Sequence, residues 1–456
     1  MTNTKPQPVS ATERVPVSFA QQMLCVFDAG DPDSGPFGPR HNITWGWRIR
    51  GPVDTGTLAE ALDDVVARHE ALRTRIVRDG DDLYQTIAPP SPAQVSELDL
   101  SDTVPEARDR RAEELIIELE GGRYGIEPLP LLRAVLGRFD EQDAVLVLIA
   151  HHAAVDGWSM QVLIGDLTAA YARRRGHAVA DRPEPAQYRD YAVWERESVT
   201  EAAPPASRAY WRDKLRGGQM VTARMDHPRS ANLPKNTSVL RYAIDADLAA
   251  AVAAVSKDSR SSPFMVLLAA YNVLMARRSG TGDIVVPTIG ANRKQTRFQD
   301  TVGNFTNFIP LRTDLTGCAT FRDVLDRTRL TCIEAYTREI PFFLVLGEAP
   351  ELMAGAAADD QALIAFQVLQ LPFVLDGDAI GDLELRNIPR RLSQERATEI
   401  PDGALWQLDV APSGEINAYL GFNSHKFTEI TMRTLADEFS QVLKDGVLDQ
   451  HAPLRI

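Results

Sequence analysis

Cysteine is scarce: Cys25, Cys318 and Cys332 are the three in 456 residues, odd in number and without a CxxC pair. That excludes a disulfide framework and a cysteine-based zinc site, and reads as three reduced core residues. No apolar run approaches membrane-span length. The start MTNTKPQPVSATERVPVS lacks the basic segment and apolar stretch of a secretory leader, so a cytoplasmic protein with no membrane partner is expected. Positive charge is in deficit, 49 Lys and Arg against 63 Asp and Glu, a net charge of -14. Such a surface repels phosphate backbones, and nucleic acid is not an expected partner. GxSxG, HExxH, GxxxxGK[ST] and GxGxxG are all missing, which argues against a serine elbow, a zincin and nucleotide-dependent activation.

What is present begins with 44% hydrophobic and 25% charged residues, the balance of a globular protein large enough for two or three domains. The chain is organised around AVLVLIAHHAAVDGWSM, Ala144 to Met160. Ala144–Ala150 is an unbroken apolar run of the length of a strand buried on both faces. His151 and His152 close it, and after a small-residue turn ending in Asp156 and Gly157, Ser159 can cap the helix that follows. Two imidazoles thereby stand at a strand-to-helix corner, a place that presents side chains to a cleft.

In chain order, residues 1–14 read as a loose terminus and Val15–Leu24 as a helix entered through Pro16 and capped by Ser18. His41–Ile49 alternates like a strand, Asp54–His69 is an amphipathic helix, and RHEALRTRI leads from it into a strand. Glu106–Glu120 reads as a helix, and a turn at Glu141–Asp143 joins Leu129–Phe139 to the central strand. YRDYAVWERES is helical. A boundary near residue 180 separates 1–180 from 181–456. The second half repeats the first in kind, with helices at Pro263–Arg278, Thr320–Thr337 and Thr428–Leu443 and strands at Asp283–Thr288, Asn307–Thr313, Ala362–Leu369, Trp406–Ala411 and Glu415–Phe422. The expected class is α/β with mixed sheets.

Adjacent histidines suggest a metal first, but consecutive residues leaving a strand point in opposite directions and cannot easily share one ion. His41, His69, His177, His227, His425 and His451 are scattered, so no metal is expected. The cysteines lack a neighbouring histidine, which disfavours a covalent nucleophile. A lone imidazole acting as general base remains, neutral at cellular pH and able to take a proton from an attacking amine or alcohol. Gly157 allows close approach to the backbone, and its amide could face an oxyanion. The competing reading of a core histidine satisfied by backbone hydrogen bonds fits one of the pair and not the other.

His151–Ser159, HHAAVDGWS, resembles the HHxxxDG signature of the condensation domains of nonribosomal peptide synthetases, a family related to chloramphenicol acetyltransferase. Ser18, Ala20 and Gln21 are similar to its opening pattern, RHEALRT (Arg68–Thr74) to its second, and YRDYAVW (Tyr188–Trp194) to the segment after the histidines. IGANR (Ile289–Arg293), with Val302, Gly303, Phe305, Asn307 and Arg312, resembles the later motif. The order holds from residue 15 to about 315. Met23 and Cys25 depart from the usual arginine and tryptophan, Thr337 stands where a histidine is common, and no late arginine-aspartate-serine-arginine motif occurs; these bear on substrate subtype.

The resemblance implies two acyltransferase-like subdomains in a V, with a tunnel between them. It implies a floor loop near Ala291–Asp300 and a latch within Phe373–Thr398, both crossing from the second half to the first. His152 would be the catalytic histidine and His151 structural. Asp156, which spacing alone suggests as a dyad partner, would instead form a buried salt bridge with Arg293. Asn307 and Gln367 would line the tunnel. No cofactor would be bound; the acyl group would arrive on the phosphopantetheine arm of a peptidyl or acyl carrier protein. The expected reaction joins it to a small-molecule amine or alcohol, giving an amide or ester.

With no carrier or adenylation segment, the chain resembles the free-standing condensation enzymes of natural-product pathways, served by a carrier in trans, with a domain excised from a longer synthetase as the alternative. An acyltransferase using acyl-CoA and a non-catalytic docking module are the rivals; epimerising and heterocyclising relatives differ at or beside the histidines. Because carriers are acidic, docking would need local positive charge, for which Arg173, Arg174, Arg175 and Arg386, Arg390, Arg391 are candidates.

Overall fold

The computed structural model describes residues 14–454 apart from 181, 203–204, 371–374 and 401, and the side chains of 199–202. The chain is α/β and divides into two compact units. The first runs to Ala202 and also takes in Ala291–Thr306 and Phe373–Pro389; the second comprises Ala203–Gly290, Asn307–Pro372 and Arg390–Ile456.

The first unit is built on a six-stranded mixed sheet in the order Asp378–Ile380, Leu383–Asn387, Asn42–Arg50, Asp143–His151, Leu132–Asp140, Gln94–Asp99. Every pair is antiparallel except the last. All nine residues of the strand Asp143–His151 are buried, because both faces are covered. Leu146, Leu148 and Ala150 pack with Leu58, Leu62 and Leu163 from the helices Thr55–Arg68 and Gly157–Arg174. Val145, Val147 and Ile149 turn the other way, onto Leu115 and Ile116 of the helix Arg108–Glu120. Alternation of two apolar sets along one strand produces the unbroken run seen in the sequence.

The second unit carries a five-stranded sheet in the order Thr222–Arg224, Gln361–Leu369, Gly403–Val410, Ile416–Asn423, Thr237–Ala243, with one parallel pair, Gln361–Leu369 against Gly403–Val410. A separate hairpin pairs Asp283–Gly290 with Asn307–Asp314. Tyr271 stacks on Phe366 at 4.5 Å and Trp406 meets Phe439 at 4.9 Å, fixing the helices Pro263–Ser279 and Glu429–Leu448 to the sheet.

Several expectations shift. Residues 1–13 lie outside the described residues. Val15–Pro16 is a short strand against Tyr84 and Gln85, and the first helix is Phe19–Phe27, where Ser18 and Gln21 form a reciprocal cap. Asp156, not Ser159, caps the helix after the histidines, which begins at Gly157. Ser159 sits one turn in and donates both its N–H and its Oγ–H to Asp156. The helix Tyr188–Ala202 clusters with the first unit, because Tyr188 and Tyr191 are buried in its core; the compact units therefore divide beyond 180. The floor-loop residues 291–300 fall in the first unit as well. The expected latch span starts on Phe373 and Val374, outside the described residues. From 375 to 389 it lies in the first unit, where Leu383–Asn387 pairs with Asn42–Arg50, and beyond Pro389 it lies in the second. Cys332 is buried, whereas Cys25 and Cys318 are only partly so.

Candidate active site around His152

The central strand ends at His151, whose ring is buried and fully occupied. Nε2 donates to the Gly38 carbonyl at 3.1 Å and Nδ1 accepts the Ala153 N–H at 3.2 Å. Burial pushes its pKa down to about 4, so the ring is neutral and both nitrogens are committed. One residue on, the His152 ring is only half-buried. Its Nδ1 lies 2.8 Å from the Val155 carbonyl, which can only accept, so Nδ1 carries the proton and Nε2 presents a lone pair. Burial lowers its pKa as well, keeping that lone pair free of a proton.

The bond from His152 to Val155 leaves Asp156 for other work. Arg293 Nη2 approaches Asp156 Oδ1 at 2.9 Å and Oδ2 at 3.1 Å. Ser159 donates twice to Oδ1, each at 2.7 Å, and the Phe305 N–H reaches Oδ2 at 3.2 Å. Arg293 is itself held by the carbonyls of Phe298 (3.0 Å) and Thr301 (2.7 Å), and its guanidinium lies 3.9 Å from the Phe305 ring centroid. Side chains exposed by only 2% and 5% make this a buried, charge-assisted pair. It fastens the loop 291–306 to the turn below the histidines. Trp158 Nε1 adds a second tie, to the Gln299 carbonyl at 2.8 Å.

Gly157 is the first residue of its helix, a position whose amide has no intrahelical acceptor and stands at the positive end of the dipole. Gly303 explains its place in the later motif by proximity: its N–H donates to Ser159 Oγ at 3.1 Å, and a Cβ there would lie 2.0 Å from the Tyr188 ring. Tyr188 bonds Ser18 Oγ at 2.8 Å and the Asn304 carbonyl, so the opening pattern, YRDYAVW and the glycine-asparagine segment meet at one phenol. RHEALRT closes on the histidine helix too: His69 Nε2 lies 2.7 Å and Arg68 Nε 3.1 Å from Asp166 Oδ2.

Asn307 and Gln367 belong to the second unit. The Asn307 amide donates to Glu339 Oε1 at 3.0 Å and to the Ile340 carbonyl at 3.1 Å, and its Oδ1 takes the Phe342 N–H at 2.9 Å. That clamp starts the helix Phe342–Glu348 and uses all three of those bonds structurally. Gln367 donates to Gln407 at 2.6 Å, and Gln407 to Asp409 at 2.7 Å. Among the arginines expected to serve docking, Arg174 pairs with Asp64 and Glu60, Arg175 with Asp382, Arg386 with Glu384 and Arg391 with Glu415, which cancels much of the positive field expected of them.

Sequence reasoning leaves His41 among the scattered histidines. The structure stacks it on His152, ring centroids 4.8 Å apart and planes 13° from parallel. Only the antiparallel register, Asn42 opposite His151, brings the two together, and no local sequence signal carries that register.

The family profile described as "Condensation domain" matches residues 11–455. The chain belongs to the condensation-domain family. This condensation domain is 31% identical over 442 residues to phosphinothricin tripeptide synthetase PhsC of Streptomyces viridochromogenes, covering 95% of this chain and 39% of that one. It is 29% identical over 446 residues to a linear gramicidin synthase polypeptide of Brevibacillus parabrevis, covering 96% of this chain and 8% of that one. It therefore spans a minor part of the length of these relatives. Among solved structures it is similar to SgcC5 from Streptomyces globisporus, crystallised with (R)-(-)-1-(2-naphthyl)-1,2-ethanediol and sucrose. The identity is 47% and the TM-score 0.93, with 96% of this chain and all of that one covered. The X-domain from teicoplanin biosynthesis shares the fold at 23% identity and a TM-score of 0.78, covering 99% of each chain. No described helix is long and apolar enough to cross a membrane.

Proposed function

We propose that this condensation domain joins an acyl or aminoacyl thioester, carried on the phosphopantetheine arm of a carrier protein in trans, to a hydroxyl or amine acceptor. The observation that carries the proposal is the state of His152. Its Nδ1–H is anchored on the Val155 carbonyl, leaving Nε2 as a neutral acceptor on a half-buried ring. Nε2 takes the acceptor's proton as its oxygen or nitrogen attacks the thioester carbon. The tetrahedral oxyanion draws on the Gly157 amide at the helix N-terminus. Collapse expels the thiolate, which recovers the proton from the imidazolium and leaves the free thiol of the arm. His151 and the Asp156–Arg293 pair hold the turn and take no part in proton transfer.

An alcohol acceptor, and so an ester product, is favoured by the aryl 1,2-diol bound in the 47% identical relative. The test is mass spectrometry of the purified chain with aminoacyl-loaded carrier protein and an aryl 1,2-diol. Ester formation that disappears in His152→Ala supports the reading. Turnover with acyl-CoA in place of loaded carrier would make the chain an acyl-CoA acyltransferase. No product with either donor, together with carrier binding, would leave a docking module.

A further inference from the structure

The proposed base is gripped at three points, and one of them has no role in the signature that surrounds it. Its Nδ1 is tied to Val155, its backbone N–H donates to the His41 carbonyl at 2.9 Å, and one face of its ring is covered by the His41 imidazole. His41 is half-buried, directly precedes the strand Asn42–Arg50, and also meets His151 edge-on at 6.1 Å. A histidine ring turned by 180° about its Cβ–Cγ bond exchanges the positions of its nitrogen and carbon atoms, and its χ1 has two further staggered wells. Either movement would take the lone pair at Nε2 off its line. A flat ring stacked at 4.8 Å obstructs a swing toward the covered face, and the 180° turn, which returns the ring to the same plane, is opposed by loss of the Nδ1 bond to the Val155 carbonyl.

Resting on the reading of His152 as base, we propose that His41 is a positioning residue for it: the stacked imidazole keeps His152 in the one rotamer that holds the proton on Nδ1 and the lone pair on Nε2. Aromatic area is what the role requires, so phenylalanine should serve and alanine should not. The stack is a contact of the ring faces and leaves the substrate-facing edge alone, so its loss should fall on turnover and not on substrate capture.

The experiment compares wild type, His41→Ala and His41→Phe with a loaded carrier and an aryl 1,2-diol, alongside 15N NMR of histidine-labelled protein. In His41→Ala, kcat falls at least tenfold with KM for the carrier within twofold, and the His152 nitrogens move from a single Nδ1–H tautomer to an averaged pair. In His41→Phe, kcat returns to within threefold and the single tautomer is restored. A merely space-filling His41 would lower the melting temperature of the alanine variant and leave the His152 tautomer unmoved; that result overturns the proposal. Full kcat in His41→Ala also overturns it. If His152→Ala keeps wild-type activity while the tautomer still responds to His41, the base assignment fails and the stack stands.

Discussion

Arg293 and Asp156 are 137 residues apart in sequence and 2.9 Å apart in space. With both side chains nearly sealed from solvent, removing either partner strands the other's charge. Asp156→Ala and Arg293→Ala should each cost about 3–5 kcal/mol, and the double variant less than their sum, because the second deletion removes the stranded charge. Urea unfolding of the four proteins measures the cycle; strictly additive losses would mean the pair is not coupled. Lost turnover in Asp156→Ala would then report a displaced turn and not a missing acid.

At Gly303 the backbone comes so close to Tyr188 that a methyl group would overlap three ring carbons, at 2.0, 2.5 and 2.7 Å. Tyr188 cannot retreat without giving up its bonds to Ser18 and the Asn304 carbonyl. Gly303→Ala should destabilise the first unit by roughly 1–3 kcal/mol, the usual range for overpacking a filled core. Thermal melting decides it, and an unchanged melting temperature would show that the ring yields freely.

These two sites show what can be read in the sequence and what cannot. The central strand is legible because both of its faces are covered and its apolar run needs no partner to be recognised. The resemblance, not spacing, names Asp156 and Arg293 as partners; spacing alone suggests a dyad that the bond from His152 to Val155 replaces. The helix cap falls three residues before its expected place because Asp156 and Ser159 are both good capping residues, and the tertiary bond to Arg293 is invisible locally. His41 escapes notice for a related reason: its meeting with His152 depends on strand register, which the chain encodes only through the whole sheet.

His151 should make the fold acid-sensitive in a defined window. Buried and neutral, it has a folded pKa of about 4 against an ordinary 6.5. Above pH 6.5 neither state binds a proton there and stability is full. Between 6.5 and 4 the unfolded chain is protonated at this ring while the folded one is not, so stability falls as pH drops, by about 3 kcal/mol across the window. His151→Gln, which keeps a donor for the Gly38 carbonyl and cannot titrate, should show a shallower loss of unfolding free energy between pH 7 and 4. Parallel curves for the two proteins would contradict the assignment.

His152 gives the corresponding kinetic prediction. A general base works only when unprotonated, and burial holds this ring's pKa below the ordinary 6.5. Activity should therefore stay level as pH falls through neutrality, and the acidic limb of kcat/KM, which reports the free enzyme, should lie below pH 6.5. His151 has no free nitrogen with which to substitute, so it supplies no second base to the profile. A limb centred above pH 7 would require a group whose protonated form is stabilised, whereas at His152 burial outweighs the backbone hydrogen bonds and the Asp156 charge that favour the imidazolium.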